Sequence, residues 1–287
     1  VGVLTLFELP AVAQQPAETD PKTAVAADSD AVAVSLPSIE VESPEQTPLI
    51  TAPLTSTTLT PPQVGEWRTK TDDAAQMIQS IPGTSVYQTG GVSGLPVIHG
   101  LADDRVNTLI NGVPLPSACS NHMNPPLSYL TPSSVGEFMA IAGITPVSTG
   151  GDSIAGTVIA NSPPPLFAAL GESLRVTGET QGFYRSNNDN YSTAIDGTVA
   201  SDTYSMNYKG SFATAGNYQG GGNDGTLHST EYSSFNQLVT GAMRGTNDLA
   251  TLQFGQQYIP YQGFPNQYMD MTENRSYLGN AAYERTF

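Results

Sequence analysis

Residues 119–123, Cys119-Ser120-Asn121-His122-Met123, combine three side chains that can bind a soft metal ion. Cys119 is the only cysteine in the 287 residues, and His122 and Met123 follow it closely. Thiolate and thioether sulfurs prefer Cu(I) to hard cations, whereas imidazole accepts either copper state. Prolines and serines flank the stretch, which is typical of a loop that a scaffold uses to present ligands. The pattern indicates a candidate copper site, with a buried structural thiol as the alternative.

Composition limits the functions that such a site could serve. Charged residues make up only 13% of the chain, glycine and proline are plentiful, and the net charge is −16. This composition favours a β-rich exported protein, and the negative charge argues against nucleic acid as a partner. The three histidines, His99, His122 and His228, are far apart in sequence, and no catalytic constellation indicates an enzyme.

The first 66 residues have the composition of a leader and a linker. Residues 1–13 are apolar and end in Ala11-Val12-Ala13, which resembles the end of a secretory signal peptide. Residues 14–66 are rich in Ala, Pro, Thr, Ser and Glu, and they are interpreted as a disordered linker. Within them, residues 36–43 alternate apolar and polar side chains. This segment could add as an edge strand to a partner's sheet, or the alternation could be chance.

The segment 67–165 is predicted to form a compact α+β domain. A capping residue and early acids predict a helix over Asp72–Ser80, which Ile81-Pro82-Gly83 ends. Asn111-Gly112 is a strong turn signal. Short strands are predicted at 85–88, 96–99, 106–110, 135–141 and 157–160.

The segment 166–287 has long stretches of two-sided alternation. Strands are predicted at 173–185, 190–200, 203–214, 230–245, 248–260 and 273–287. Strands of roughly 10–14 residues with many tyrosines favour an antiparallel transmembrane β-barrel, because the alternative, a soluble sandwich, has shorter strands. About six strands cannot enclose a domain of this size, so the barrel is expected to be truncated.

The sequence resembles the TonB-dependent outer-membrane receptors over residues 67–287. The resemblance is carried by His99–Pro114, by Gly151–Ile159 and by the helix with the following Ile81–Val86. It implies an α+β plug domain before a β-barrel in the outer membrane of a Gram-negative bacterium. The plug and the linker would face the periplasm, where a TonB-type energy-transducing complex would bind. By position, Ile39-Glu40-Val41 is similar to the TonB box.

Within that family the chain is similar to the copper receptors, whose plug carries a cysteine and methionine pair that Cys119 and Met123 match. Residues 263–272 are also similar to a stretch of those receptors. The resemblance implies import of copper as Cu(I). Met269 and Met271 are candidates for a third ligand, and the sequence leaves open which of them binds. His122 could join only if its loop forms a helical turn.

Two other functions remain open at this stage. One is a receptor of the same architecture for a metal chelate, a siderophore or another nutrient. The other is a surface protein that binds copper, or attaches cells, without transporting anything.

Overall fold

The N-terminal domain is built on a mixed five-stranded sheet. The structure, a computed structural model, describes residues 55–151, 153–169 and 171–286. The strands of this domain are β1 (Ser56–Thr58), β2 (Thr84–Gln88), β3 (Gly94–Ile98), β4 (Val106–Ile110), β5 (Val113–Pro114), β6 (Glu137–Ala142) and β7 (Gly156–Asn161). The sheet has the order β1-β6-β7-β4-β5, in which β4 and β7 run parallel, and β2 and β3 form a separate hairpin. The predicted strands of this domain are thus confirmed to within a few residues.

The helices of this domain are short. An α-helix, α1, spans Pro61–Trp67. The 3₁₀-helices span Ala74–Ser80, Asp103–Arg105, Pro126–Tyr129, Pro132–Ser134 and Val147–Thr149. The helix predicted over Asp72–Ser80 is therefore present, but it is a 3₁₀-helix. Its buried residues include Ala74 and Met77, three positions apart, which is the repeat that aligns side chains in a 3₁₀-helix.

The domain begins earlier than the predicted residue 67. Ser56–Thr58 pairs with β6, and α1 follows within the range assigned to the linker. The linker composition concealed a start signal, because Gln63 Oε1 accepts a hydrogen bond from the Thr60 N–H at 2.9 Å and Pro61 occupies the first helical position. The predicted linker boundary at residue 66 is corrected accordingly.

The hydrophobic core lies between this sheet and the 3₁₀-helix Ala74–Ser80. Its fully buried side chains include Met77, Ile78, Leu127 and Phe138. These residues come from segments spread over the domain, so the core holds the loops between them in fixed positions. One of those loops, residues 115–125, contains the candidate ligands.

Six long strands form the second sheet. They are β8 (Arg175–Arg185), β9 (Asn190–Ala200), β10 (Tyr204–Ala215), β13 (Tyr232–Arg244), β14 (Asp248–Gln262) and β15 (Asn274–Arg285), and the loop after β10 contains the short hairpin of β11 (Tyr218–Gln219) and β12 (Thr226–Leu227). All neighbours are antiparallel, in the order β15-β14-β13-β10-β9-β8. The six predicted strands are confirmed, with bounds shifted by at most two residues, because their period-two alternation is strong.

The two faces of this sheet have opposite polarity. Along β10, Tyr204, Met206 and Tyr208 are exposed, whereas Ser205 and Lys209 are buried on the face towards the N-terminal domain. The apolar side chains therefore face outward and the polar side chains face inward, which is the reverse of a soluble protein and typical of an outer-membrane wall. Within the described residues, the structure has no helix of sufficient length and hydrophobicity to span a bilayer.

Polar side chains join the six-stranded sheet to the N-terminal domain. The Asn111 side chain donates to Gln253 Oε1 at 2.9 Å, and Gln257 donates to the Ser128 carbonyl at 2.6 Å. Asn111 also forms the predicted turn, with a φ of 50°. The polar inner face thus supplies hydrogen-bond partners to the domain that packs against it.

Candidate metal site

A tight turn brings Cys119 and Met123 to one place. The His122 N–H donates to the Cys119 carbonyl oxygen at 3.0 Å, and His122 has a left-handed φ of 52°. The Met123 N–H then donates to Cys119 Sγ at 3.1 Å. The turn therefore explains how two residues four positions apart serve one site.

The second sulfur-bearing loop, residues 263–271, is organised by the carboxylate of Asp270. This carboxylate accepts hydrogen bonds from the Phe264 N–H at 3.0 Å, the Tyr261 hydroxyl at 2.8 Å and the Ser229 hydroxyl at 3.2 Å. The backbone hydrogen bond from Phe264 is the main reason that the pKa of Asp270 is lowered. Asp270 is therefore charged and engaged in shaping its own loop.

Met269 and Met271 differ in burial. Met271 exchanges two backbone hydrogen bonds of 2.9 Å with Gln262, so that the two side chains lie on the same face of the strands. Met271 is 9% exposed, whereas Met269 is 54% exposed. Of the two methionines, only Met271 contacts the interior.

Met271 and Met123 pack in one buried apolar cluster, with Cys119 packed against its edge. The sulfur cluster, as we name it here, comprises Val92, Met123, Ala213, Ala215, Tyr232, Ile259, Phe264 and Met271. Its sulfur side chains come from two separate loops, 115–125 and 263–271. Cys119 is a free thiol and is partly exposed. A soft cation arriving at Cys119 would thus have thioethers nearby in surroundings that exclude most water.

Tyr129, a neighbour of the thiol, remains uncharged. Burial raises the pKa of Tyr129, and the negative charge of the Cys119 thiolate raises it further. Tyr129 therefore stays neutral beside Cys119. In the part of the chain that the structure describes, no three residues among His, Cys, Asp and Glu come close enough to hold a metal.

The other histidine and methionine side chains differ in their surroundings. His122 is partly exposed and lies in the same turn as Cys119. Met77 is in the core of the N-terminal domain, and Met206 and Met243 are exposed on the outward face of β10 and β13. Ile39-Glu40-Val41 lies outside the described residues.

Sequence reasoning missed the residues through which the turn between β2 and β3 contacts the six-stranded sheet. Gly90 and Gly91 form the turn between β2 and β3, and this turn packs against Tyr232 and Gln262 of the six-stranded sheet. The glycine pair was a visible turn signal, but nothing in the sequence indicated what it contacts. Gln262 gave no signal, because one glutamine among many inward polar residues is not distinctive.

The N-terminal domain matches a known family of domains. Residues 48–157 match the family model of the TonB-dependent Receptor Plug Domain. The long antiparallel strands that follow have the arrangement of the walls of such receptors. Residues 48–157 therefore form a plug domain of the TonB-dependent receptor type, and the chain as a whole shares the fold of such receptors. We call residues 56–161 the plug and the six-stranded sheet the wall.

Solved structures of this class resemble the chain over most of its length. The copper transporter OprC matches with a TM-score of 0.71 and 22% identity, over 80% of this chain and 34% of that chain. The FrpB iron transporter from Neisseria meningitidis, as the F5-1 variant apoprotein, matches with a TM-score of 0.64 and 14% identity, over 80% and 36%. A double mutant of the Serratia marcescens hemophore receptor HasR, in complex with its hemophore HasA and heme, matches with a TM-score of 0.63 and 17% identity, over 80% and 34%. No curated protein matches the sequence.

These identities establish the shared fold and nothing finer. The chain spans about a third of the length of the solved structures that it matches. The cargo must therefore be argued from the residues of this chain.

Proposed function

We propose that the protein is a TonB-dependent outer-membrane receptor that imports copper, captured as Cu(I) by Cys119, Met123 and Met271. The observation that carries this proposal is the meeting of these three side chains from two separate loops at one buried cluster. A thiolate with two thioethers is a donor set that selects Cu(I) over hard cations. The match to a structure described as a copper transporter agrees with this cargo.

Capture would begin at Cys119, which is the accessible member of the three. The thiol must lose its proton on binding, so that copper affinity rises with pH through the acidic range. The hydrogen bond from the Met123 N–H holds the Cys119 sulfur in position within the turn. Met123 and Met271 then replace water around the ion. In this proposal Met269 is not required, because it is exposed.

The outward apolar face of the wall supports a location in the outer membrane. Release of the metal to the periplasm would need energy, and the outer membrane has no nucleotide supply. In our proposal a TonB-type complex binds Ile39-Glu40-Val41 and remodels the plug. Deletion of residues 36–43 should then abolish uptake and leave copper binding intact, whereas a surface protein that only binds copper would be unaffected.

The direct test is the variant Cys119→Ser in the full-length receptor, purified in detergent. We expect its Cu(I) affinity, measured by competition with a cuprous chelator, to fall at least tenfold, because the only thiolate is lost. Ser120→Ala is the matched control in the same loop and should bind like the parent. The proposal fails if Cys119→Ser retains the parent affinity, or if the copper-loaded parent shows no sulfur scattering in X-ray absorption.

A second candidate is a receptor for a chelated metal. It is favoured by the likeness to an iron transporter and to a heme-bound hemophore receptor. In that case Cys119 would be a packing residue, and free Cu(I) would bind no more tightly to the parent than to Cys119→Ser. The same titration therefore separates the two cargoes.

A further inference from the structure

The Gly90–Gly91 turn of the plug lies directly beneath wall side chains. A Cβ atom on Gly90 would come within 2.3 Å of Gln262 Nε2, and one on Gly91 within 2.1 Å of the Tyr232 ring. Any side chain at either position would displace Gln262 or Tyr232. Only glycine at both positions therefore leaves space in this turn for the side chains of these two wall residues.

The two wall residues belong to one row that ends at Met271. Strand register places Ala215 opposite Tyr232, Tyr232 opposite Gln262, and Gln262 opposite Met271. Neighbours in such a row contact one another across the strands. Gln262 thus lies between Tyr232, which packs against the glycine turn, and Met271, which supplies the thioether of the wall.

Gln262 makes a direct connection from this row to the plug. Its side chain is fully buried, and its Nε2 donates to Ser93 Oγ at 2.6 Å. Ser93 follows Val92, which packs in the sulfur cluster beside Met123 and Met271. One hydrogen bond therefore ties the plug turn to the strand position paired with Met271.

Stability alone does not explain a glutamine at this position. Its Oε1 is buried and has no hydrogen-bond partner among the described residues. A buried acceptor without a partner is unfavourable, so that an apolar side chain of similar volume would suit the same space better. The amide of Gln262 is explained if its role is to position the wall relative to the plug, because one directional hydrogen bond sets the register between them.

We propose that Gln262 is a positioning residue for the copper site: by its bond to Ser93 it fixes Met271 of the wall relative to Cys119 and Met123 of the plug. This inference rests on the proposed function. It predicts that loss of the bond leaves Cys119 and Met123 able to bind Cu(I) while Met271 no longer reaches the ion. The sulfur number around copper should then fall from three to two.

The test uses the full-length receptor in detergent with the variants Gln262→Leu and Ser93→Ala. We expect Cu(I) affinity to fall about tenfold in each, as is common when a group that orients a ligand is removed. X-ray absorption should report two sulfur neighbours. In Gln262→Glu the donor is lost, but the carboxylate can accept a hydrogen bond from the Ser93 hydroxyl in the reverse direction, and this variant should restore three, which a loss of packing alone would not explain.

The matched control is Asn266→Ala. Asn266 also joins this wall loop to the plug, through the Tyr87 hydroxyl at 3.1 Å, but it is exposed and lies away from Met271 in the loop. It should bind copper like the parent. If Gln262→Leu and Ser93→Ala both keep parent affinity and three sulfur neighbours, the positioning role is refuted while the copper site stands. If the parent itself binds no Cu(I), the proposed function fails first.

Discussion

The difference in burial between Met269 and Met271 gives a sharp test of the site. Met271 is 9% exposed within the sulfur cluster, and Met269 is 54% exposed two positions earlier. Replacement of either by leucine nearly conserves volume, which should cost less than ~1.5 kcal/mol of folding stability. Both variants should therefore fold, and any difference in copper affinity reports ligation.

The expected effect is strongly asymmetric. Met271→Leu removes one of three sulfur donors, and we expect at least a tenfold loss of Cu(I) affinity, which corresponds to ~1.4 kcal/mol. Met269→Leu should stay within about twofold, ~0.4 kcal/mol on the same scale. Affinities are measured by competition with a cuprous chelator, with Met206→Leu on the outer face as a further control. Equal losses for the two loop variants, or none for Met271→Leu, would refute the geometry of the proposed site.

Three further predictions concern the plug and its contact with the wall. Asp72 accepts hydrogen bonds from wall residues, including Tyr232 at 2.8 Å, so Asp72→Ala should loosen the plug by about 1.5–3 kcal/mol, seen as faster hydrogen exchange. Gly91→Ala should destabilise the plug by about 1–3 kcal/mol in thermal unfolding, because its Cβ would meet the Tyr232 ring, whereas Gly65→Ala has open space and should be neutral or stabilising. Burial raises the pKa of Asp73 from 3.8 to about 6. The folded plug therefore holds the proton of the Asp73 carboxyl more tightly than the unfolded chain does. The resulting stability is present below pH 4 and is lost as pH rises through 6. The loss should reach ~3 kcal/mol relative to Asp73→Asn, measured by denaturant unfolding between pH 4 and pH 7, and a flat difference would contradict it.

Much of the fold could be predicted from local pattern. The six wall strands were found to within two residues, because alternation of period two persists over their whole length. The turn at Asn111-Gly112 was found because both residues adopt a positive φ, which few residue types accept. The start of the plug was missed, because Ser56–Thr58 is too short to show a period and becomes a strand only by pairing with β6.

Part of the candidate site could likewise be predicted from the sequence, and part could not. Residue type and spacing were enough to single out Cys119 and Met123, since their chemistry is carried by the side chains themselves and one local turn unites them. The choice between Met269 and Met271 was not available from the sequence. It depends on the bridge between Met271 and Gln262, which turns one thioether inward and leaves the other exposed.

The sequence by itself determined the order of plug and wall, the alternation of polar and apolar side chains along each wall strand, and Cys119 and Met123 as the candidate donors of the plug. These follow from short-range periodicity and from the chemistry of individual side chains. Only the tertiary structure decided that the glycine turn receives Gln262 and Tyr232, and that two loops about 140 residues apart share one cluster. Such contacts arise from the packing of the plug against the wall, and no local pattern of residues encodes which distant side chain fills a given gap.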